Sequence, residues 1–151
     1  KKKMTTKNTS LRLLGKQILL KLENHKYILT NLQKRTDLQD EFFKKLSEFI
    51  LTEESLNERI HHDVNQHSEK LMDSNITETE AFQGRKKTLR SELKENEIHG
   101  FYFLITLRDA AIRIREFLFE SSHVDDVFES DEEIQKFVLE TMQTFDEGKI
   151  A

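Results

Sequence analysis

The chain has no cysteine, no proline, no tryptophan and only four glycines among its 151 residues. Without cysteine there is no disulfide framework, no thiolate nucleophile and no Cys-ligated zinc or iron–sulfur centre. Without proline, and nearly without glycine, an all-β fold would lack the residues its turns are made from. The glycines stand singly, so there is no glycine-rich phosphate loop. Long apolar runs are missing as well. The longest, Phe101 to Leu107, falls far short of the ~20 residues of a membrane span. These absences favour an intracellular setting without identifying a compartment. The first residue is Lys1, which we read as the mark of a processed protein or a fragment.

What is present in quantity is charge, 34% of residues, beside 36% hydrophobic ones. At this length the composition fits a single all-α domain. Residues 1–9 read as a flexible basic lead-in, with Ser10 as a candidate N-cap. Leu11, Leu14, Ile18, Leu22, His25, Leu29 and Leu32 recur at steps of three or four and predict a helix from Leu11 to Arg35. From Thr36 to Asp73 a near-heptad seam follows: Phe42, Leu46, Phe49, Glu53, Leu56, Ile60, Val64, His67, Leu71. The two segments predict a long, partly coiled-coil arm over 10–73, turning near Lys34 to Asp40. Unbroken, residues 11–73 would form a rod of roughly 95 Å, which only a partner chain could cover.

Asn75 with Glu78 and Thr77 with Glu80 have capping-box spacing, so a new helix is expected from Glu78 to Glu97. Its apolar stripe is thin. Gly100 reads as a hinge or a helix end. Phe101 to Phe119 is apolar nearly all round and reads as a central helix, with Glu120 to Glu129 as a loop. Ser130 with Glu133 opens a last helix that stops near Gly148. No internal repeat is evident. The expected fold is an elongated four- to five-helix bundle, one all-helical domain over 10–151, with its C-terminal part over 77–151.

Charge is arranged in blocks. The net charge is +9 over residues 1–36, −8 over 37–83, +3 over 84–116 and −8 over 117–151. Blocks of alternating sign suit helices that lie against one another, within one chain or between chains. The basic, leucine-rich first block also suits an anionic membrane surface, though ordinary packing is the simpler use of its stripe. No nucleic-acid motif accompanies it, and the acidic blocks would repel a polyanion.

Two Glu-x-x-His pairs, Glu58 with His61 and Glu120 with His123, have the spacing of di-iron helical sites. Glu58 lies about 200° from Leu56, off the buried face, so that chemistry is rejected. His61, His62 and His67 with Glu58 and Asp63 read as a polar exposed stretch rather than a zinc site. No nucleophile stands beside a base in a recognisable motif. No cofactor, metal or catalytic residue is expected. The reading is a non-catalytic protein-interaction or scaffolding module, a subunit of a larger helical assembly or a self-associating chain. Its interface candidates are Phe42, Leu46, Phe49, Leu56, Ile60, Val64, His67, Phe101, Phe103, Phe117 and Phe119. A microbial helical protein that binds a host partner, and a ligand- or metal-binding bundle, are the alternatives.

Overall fold

The first helix, α1 (Thr9–Asn24), ends in a Schellman motif. Lys26 takes the left-handed conformation, φ 61°, that glycine usually occupies. The amide of Tyr27 then reaches back to the carbonyl of Leu22 at 2.9 Å, and that of Lys26 to Glu23 at 3.0 Å. The helix expected to run to Arg35 therefore stops eleven residues early and gives way to strand β1 (Ile28–Thr30). A single 3-10 turn, Leu32–Lys34, leads into α2 (Arg35–Ser47).

The computed structural model describes residues 9–67 and 75–145. Within it follow β2 (Ile50–Leu51), α3 (Glu53–Gln66), α4 (Glu78–Leu93), β3 (Glu97–Ile98), β4 (Phe101–Phe103), α5 (Leu107–Glu120), β5 (Val124–Val127) and α6 (Asp131–Gln143). The chain is mostly helical, in keeping with an all-α class, and carries two small sheets. The basic lead-in up to Asn8, the helix end at Asp73, seam residue Leu71 and the stop at Gly148 lie outside the described residues. Among the described residues no continuous arm runs from 10 to 67. Its described part is three helices separated by β1 and β2, and the seam is divided between two cores.

The run from Phe101 is not one helix. Phe101–Phe103 is the central strand of the sheet β2–β4–β3, buried on both faces. A strand covered on both sides has a continuous apolar run, which periodicity alone does not separate from a buried helix. The side chains of Phe101 and Phe103 enter the main core and that of Tyr102 enters the smaller one. In β2, Ile50 and Leu51 divide in the same way. This sheet is the wall between the two cores. Gly100, φ 85°, and His99, φ 54°, form the two-residue turn of the β3–β4 hairpin, where both central residues need positive φ. The loop expected over Glu120 to Glu129 contains β5.

The main core has an internal repeat that sequence reading missed. Shifted by 96 residues without a gap, 11–49 overlies 107–145: α1 on α5, β1 on β5, α2 on α6. Nine overlaid positions are buried in both copies. They include Gly15 and Ala111, Ile18 and Ile114, Leu22 and Leu118, Phe42 and Val138, and Phe49 and Phe145. Only six of the 39 pairs are identical. The equivalent strands β1 and β5 pair antiparallel, Ile28 opposite Val127 and Leu29 opposite Asp126. An antiparallel ladder between equivalent strands places a local two-fold axis between them. The helices follow it: α1 packs on α2 and on α6, and α5 packs on α6 and on α2.

Between the repeats, β2, α3, α4 and the β3–β4 hairpin form a second lobe around Leu51, Leu56, Ile60, Val64 and Tyr102. It leaves and returns at adjacent residues, because the amide of Leu104 donates to the carbonyl of Phe49 at 2.8 Å. Thr52 caps α3 through the Ser55 amide and Thr77 caps α4 through that of Glu80, each within a full capping box. Thr77 and Glu80 therefore start α4 as expected, and Ser130 caps α6 through Glu133.

Candidate functional site

The thin apolar stripe of α4 is explained by what its two sides do. Phe82, Leu89 and Leu93 pack toward α3. Gln83, Lys86, Lys87, Arg90, Ser91 and Lys94 recur at steps of three and one, a second stripe along α4 and its end. With Glu53, Glu97, Gly100 and Tyr102 this stripe lines a cleft of about 710 Å³ between α4, the start of α3 and the β3–β4 hairpin. Four cations and two carboxylates face it.

Glu53, at the first position of α3, ties the walls together. Its carboxylate accepts from Lys86 Nζ at 2.9 Å, from the Arg90 guanidinium and from the Tyr102 hydroxyl at 3.1 Å. Burial pushes the Glu53 carboxyl up, but the donors Lys86, Tyr102 and Arg90 outweigh it and hold it below the usual glutamate value. Burial, then the Glu53 carboxylate, pushes the Tyr102 phenol up. One acid of the cleft is thus satisfied by three donors. Lys87 and Lys94 have no ion-pair partner among the described residues.

A pH dependence follows. The fold prefers ionised Glu53, so its contribution is present above the value near 4.5 of an unperturbed glutamate. It is lost as pH falls through the lower folded value. Glu53→Gln is expected to flatten part of the acid limb of stability, read as the denaturant midpoint across pH. An unchanged acid limb would count against this role.

A second polar group joins α2 to the end of α5. The Ser121 hydroxyl donates to Glu41 Oε1 at 2.6 Å, and His123 Nδ1 lies 2.9 Å from the same oxygen. Burial again opposes ionisation of Glu41, and the bonds from His123 and Ser121 overcome it. The serine proton is directed to the carboxylate, not to the imidazole, so this is no serine–histidine nucleophile pair. It is a clamp between two elements of the main core.

The interface candidates fall mainly inside the chain. Phe42, Leu46, Phe49, Phe101, Phe103 and Phe117 are buried in the main core, and Leu56, Ile60 and Val64 in the smaller one. A seam read as continuous is closed by the chain's own helices. His67 is exposed at the end of α3, and Phe119 is 47% exposed near the end of α5. No cluster of three metal-binding side chains, with Glu58 and His61 or elsewhere, occurs among the described residues. No helix among the described residues is long and apolar enough to cross a membrane. The apolar stripe of α1 (Leu11, Leu14, Ile18, Leu19, Leu22) is buried in the main core.

Sequence reading missed the cleft, although the +3 block over 84–116 was its trace. Compared with protein families, curated proteins and solved structures, the chain matches none.

Proposed function

We propose that this chain is a non-catalytic protein-interaction module whose cleft along α4 receives an acidic segment of a partner protein. The observation that carries the reading is the pair Lys87 and Lys94, cations that line the cleft and form no ion pair among the described residues. Lys86 and Arg90 add to the field, although Glu53 engages both. Opposite charge lowers the barrier to encounter and sets the register of a bound segment. An extended acidic peptide fits an open groove of this volume better than a small ligand, which is normally enclosed by apolar walls. Self-association remains the competing reading of the same charges, since the chain carries two acidic blocks.

The test is a titration of the full chain into a fluorescent oligoglutamate peptide, read by anisotropy. Saturable binding is expected, weakening as salt rises. The double variant Lys87→Glu with Lys94→Glu is expected to lower affinity at least about ten-fold, as like charges replace two attractive contacts. Glu53→Gln is expected to strengthen binding, because it frees Lys86 and Arg90. Binding unaffected by either change would remove the cleft as the site. Light scattering across a concentration series separates the competing reading, in which wild type dimerises and the double variant does not.

A further inference from the structure

Opposite charge blocks do meet inside this chain, with one exception. Arg12 pairs with Asp40, joining the first block to the second, and Arg85, Lys86 and Arg90 of the third reach Asp63 and Glu53 of the second. The acids of 117–145 form no ion pair with lysine or arginine among the described residues. Within the described residues theirs is the unanswered block.

It surrounds an aromatic surface on the β1–β5 ribbon. The Phe128 amide donates to the Tyr27 carbonyl at 2.8 Å, extending the ladder by one pair. Residues opposite one another, or two apart along a strand, share a face. Tyr27, Leu29, Asp126 and Phe128 are therefore on one face, and Ile28, buried in the core, is on the other. Phe128 is 57% exposed and Leu29 51%. Beside them Tyr27 and His25 lie against the ring of Phe137, at 5.0 and 4.7 Å between centroids. The Tyr27 hydroxyl reaches Glu133 at 3.4 Å. Glu133, Glu129 and Glu140 are near enough to push its phenol up, after burial itself.

The internal repeat shows that this composition is not imposed by the fold. The same three positions come together twice. In the other copy the equivalents of His25, Tyr27 and Phe137 are Ser121, His123 and Glu41, the polar clamp described above. One copy carries rings near carboxylates, and the other is joined by its own hydrogen bonds.

We infer that this acidic, aromatic face of the ribbon docks a basic segment of a partner protein, with arginine side chains on the rings. A guanidinium stacks on aromatic faces and pairs with carboxylates at the same time, which the compact ammonium of lysine does less well. Leu29 and Phe128 would cover the apolar stems. The surface uses elements other than those of the α4 cleft, so either proposal can fail alone.

A fluorescent oligoarginine peptide, titrated with the full chain, tests it. Saturable binding is expected, tighter than for oligolysine of equal length. The double variant Leu29→Ser with Phe128→Ser is expected to weaken it about five-fold or more, a loss of one exposed cation–π contact and its apolar cover. Both side chains are exposed, so the melting temperature should hold and a lost signal is not misfolding. Glu129→Gln with Glu133→Gln is expected to weaken binding independently, while Lys87→Glu with Lys94→Glu should not weaken it. Equal binding of oligolysine, or a serine variant that binds as wild type does, would overturn the inference. So would light scattering that shows a wild-type dimer abolished by Phe128→Ser, because the occupant would then be a second copy of this chain.

Discussion

Leu56→Asp is expected to unfold the second lobe while the main core stays folded. Leu56 is fully buried among Leu51, Ile60, Val64 and Tyr102. Replacing it removes about 1.5–3 kcal/mol of burial and sets a carboxylate into an apolar cluster, a penalty of several kcal/mol more. Five buried side chains do not carry that loss. The main core meets them at the sheet wall, through Ile50, Phe101 and Phe103. Hydrogen exchange should show α3 and α4 unprotected and α1, α2, α5 and α6 still protected. If protection is lost everywhere together, the two cores form one cooperative unit. If instead the fold persists and a wild-type oligomer dissociates, Leu56 serves an interface after all.

Phe42→Ala should cost about 3–5 kcal/mol, the range for removing a ring from a well-packed core. For a chain of 151 residues that lowers Tm by roughly 10 °C or more. Phe42 is fully buried and stacks on Phe117 with 5.1 Å between centroids. It also closes the approach of α1 to α2. A Cβ built on Gly15 would stand 3.3 Å from Leu46 Cδ1 and 3.4 Å from Phe42 Cδ2. The overlaid position in the repeat, Val138, has a smaller side chain, and Ala111 stands in place of Gly15. Val138→Ala removes fewer buried atoms, so it should cost less. Thermal or denaturant unfolding of the two variants checks the order. Equal losses would mean that the repeat is packed alike on both sides.

The elements legible in the sequence were those with a long period and a cap. The 3.6-residue stripes of α1, α2, α3 and α6 and the caps at Thr77 and Ser130 could be read directly, because side-chain spacing and capping are local. Two of the breaks missed were made without the usual residues. Lys26 ends α1 in a conformation that glycine normally signals, and His99 helps turn a hairpin where asparagine is commoner. Thr106 caps α5 through the amide of Asp109, a signal present in the sequence but hidden by reading a helix through it. β4 was invisible because its burial on both faces erased the alternation of a strand. The repeat escaped notice since burial recurs in it far more than identity does. The α4 cleft showed only as charge, for its opposite wall is the hairpin that had been read as helix. Division of one heptad-like seam between two cores is a tertiary fact, and no local spacing reports it.

The adjacency of Phe49 and Leu104 bears on how the chain finds its fold. The ribbon pairs Ile28 with Val127, residues nearly a hundred apart along the chain. In an open chain such a distant closure is slow, because its entropy is lost before any contact rewards it. A second lobe that forms first would bring residues 49 and 104 together and remove everything between them from the search. The two halves would then meet across a gap of a few tens of residues. On this view the inserted lobe is a kinetic staple for the symmetric body as well as the bearer of the cleft, and a chain with a weakened lobe would reach the same main core along a slower route.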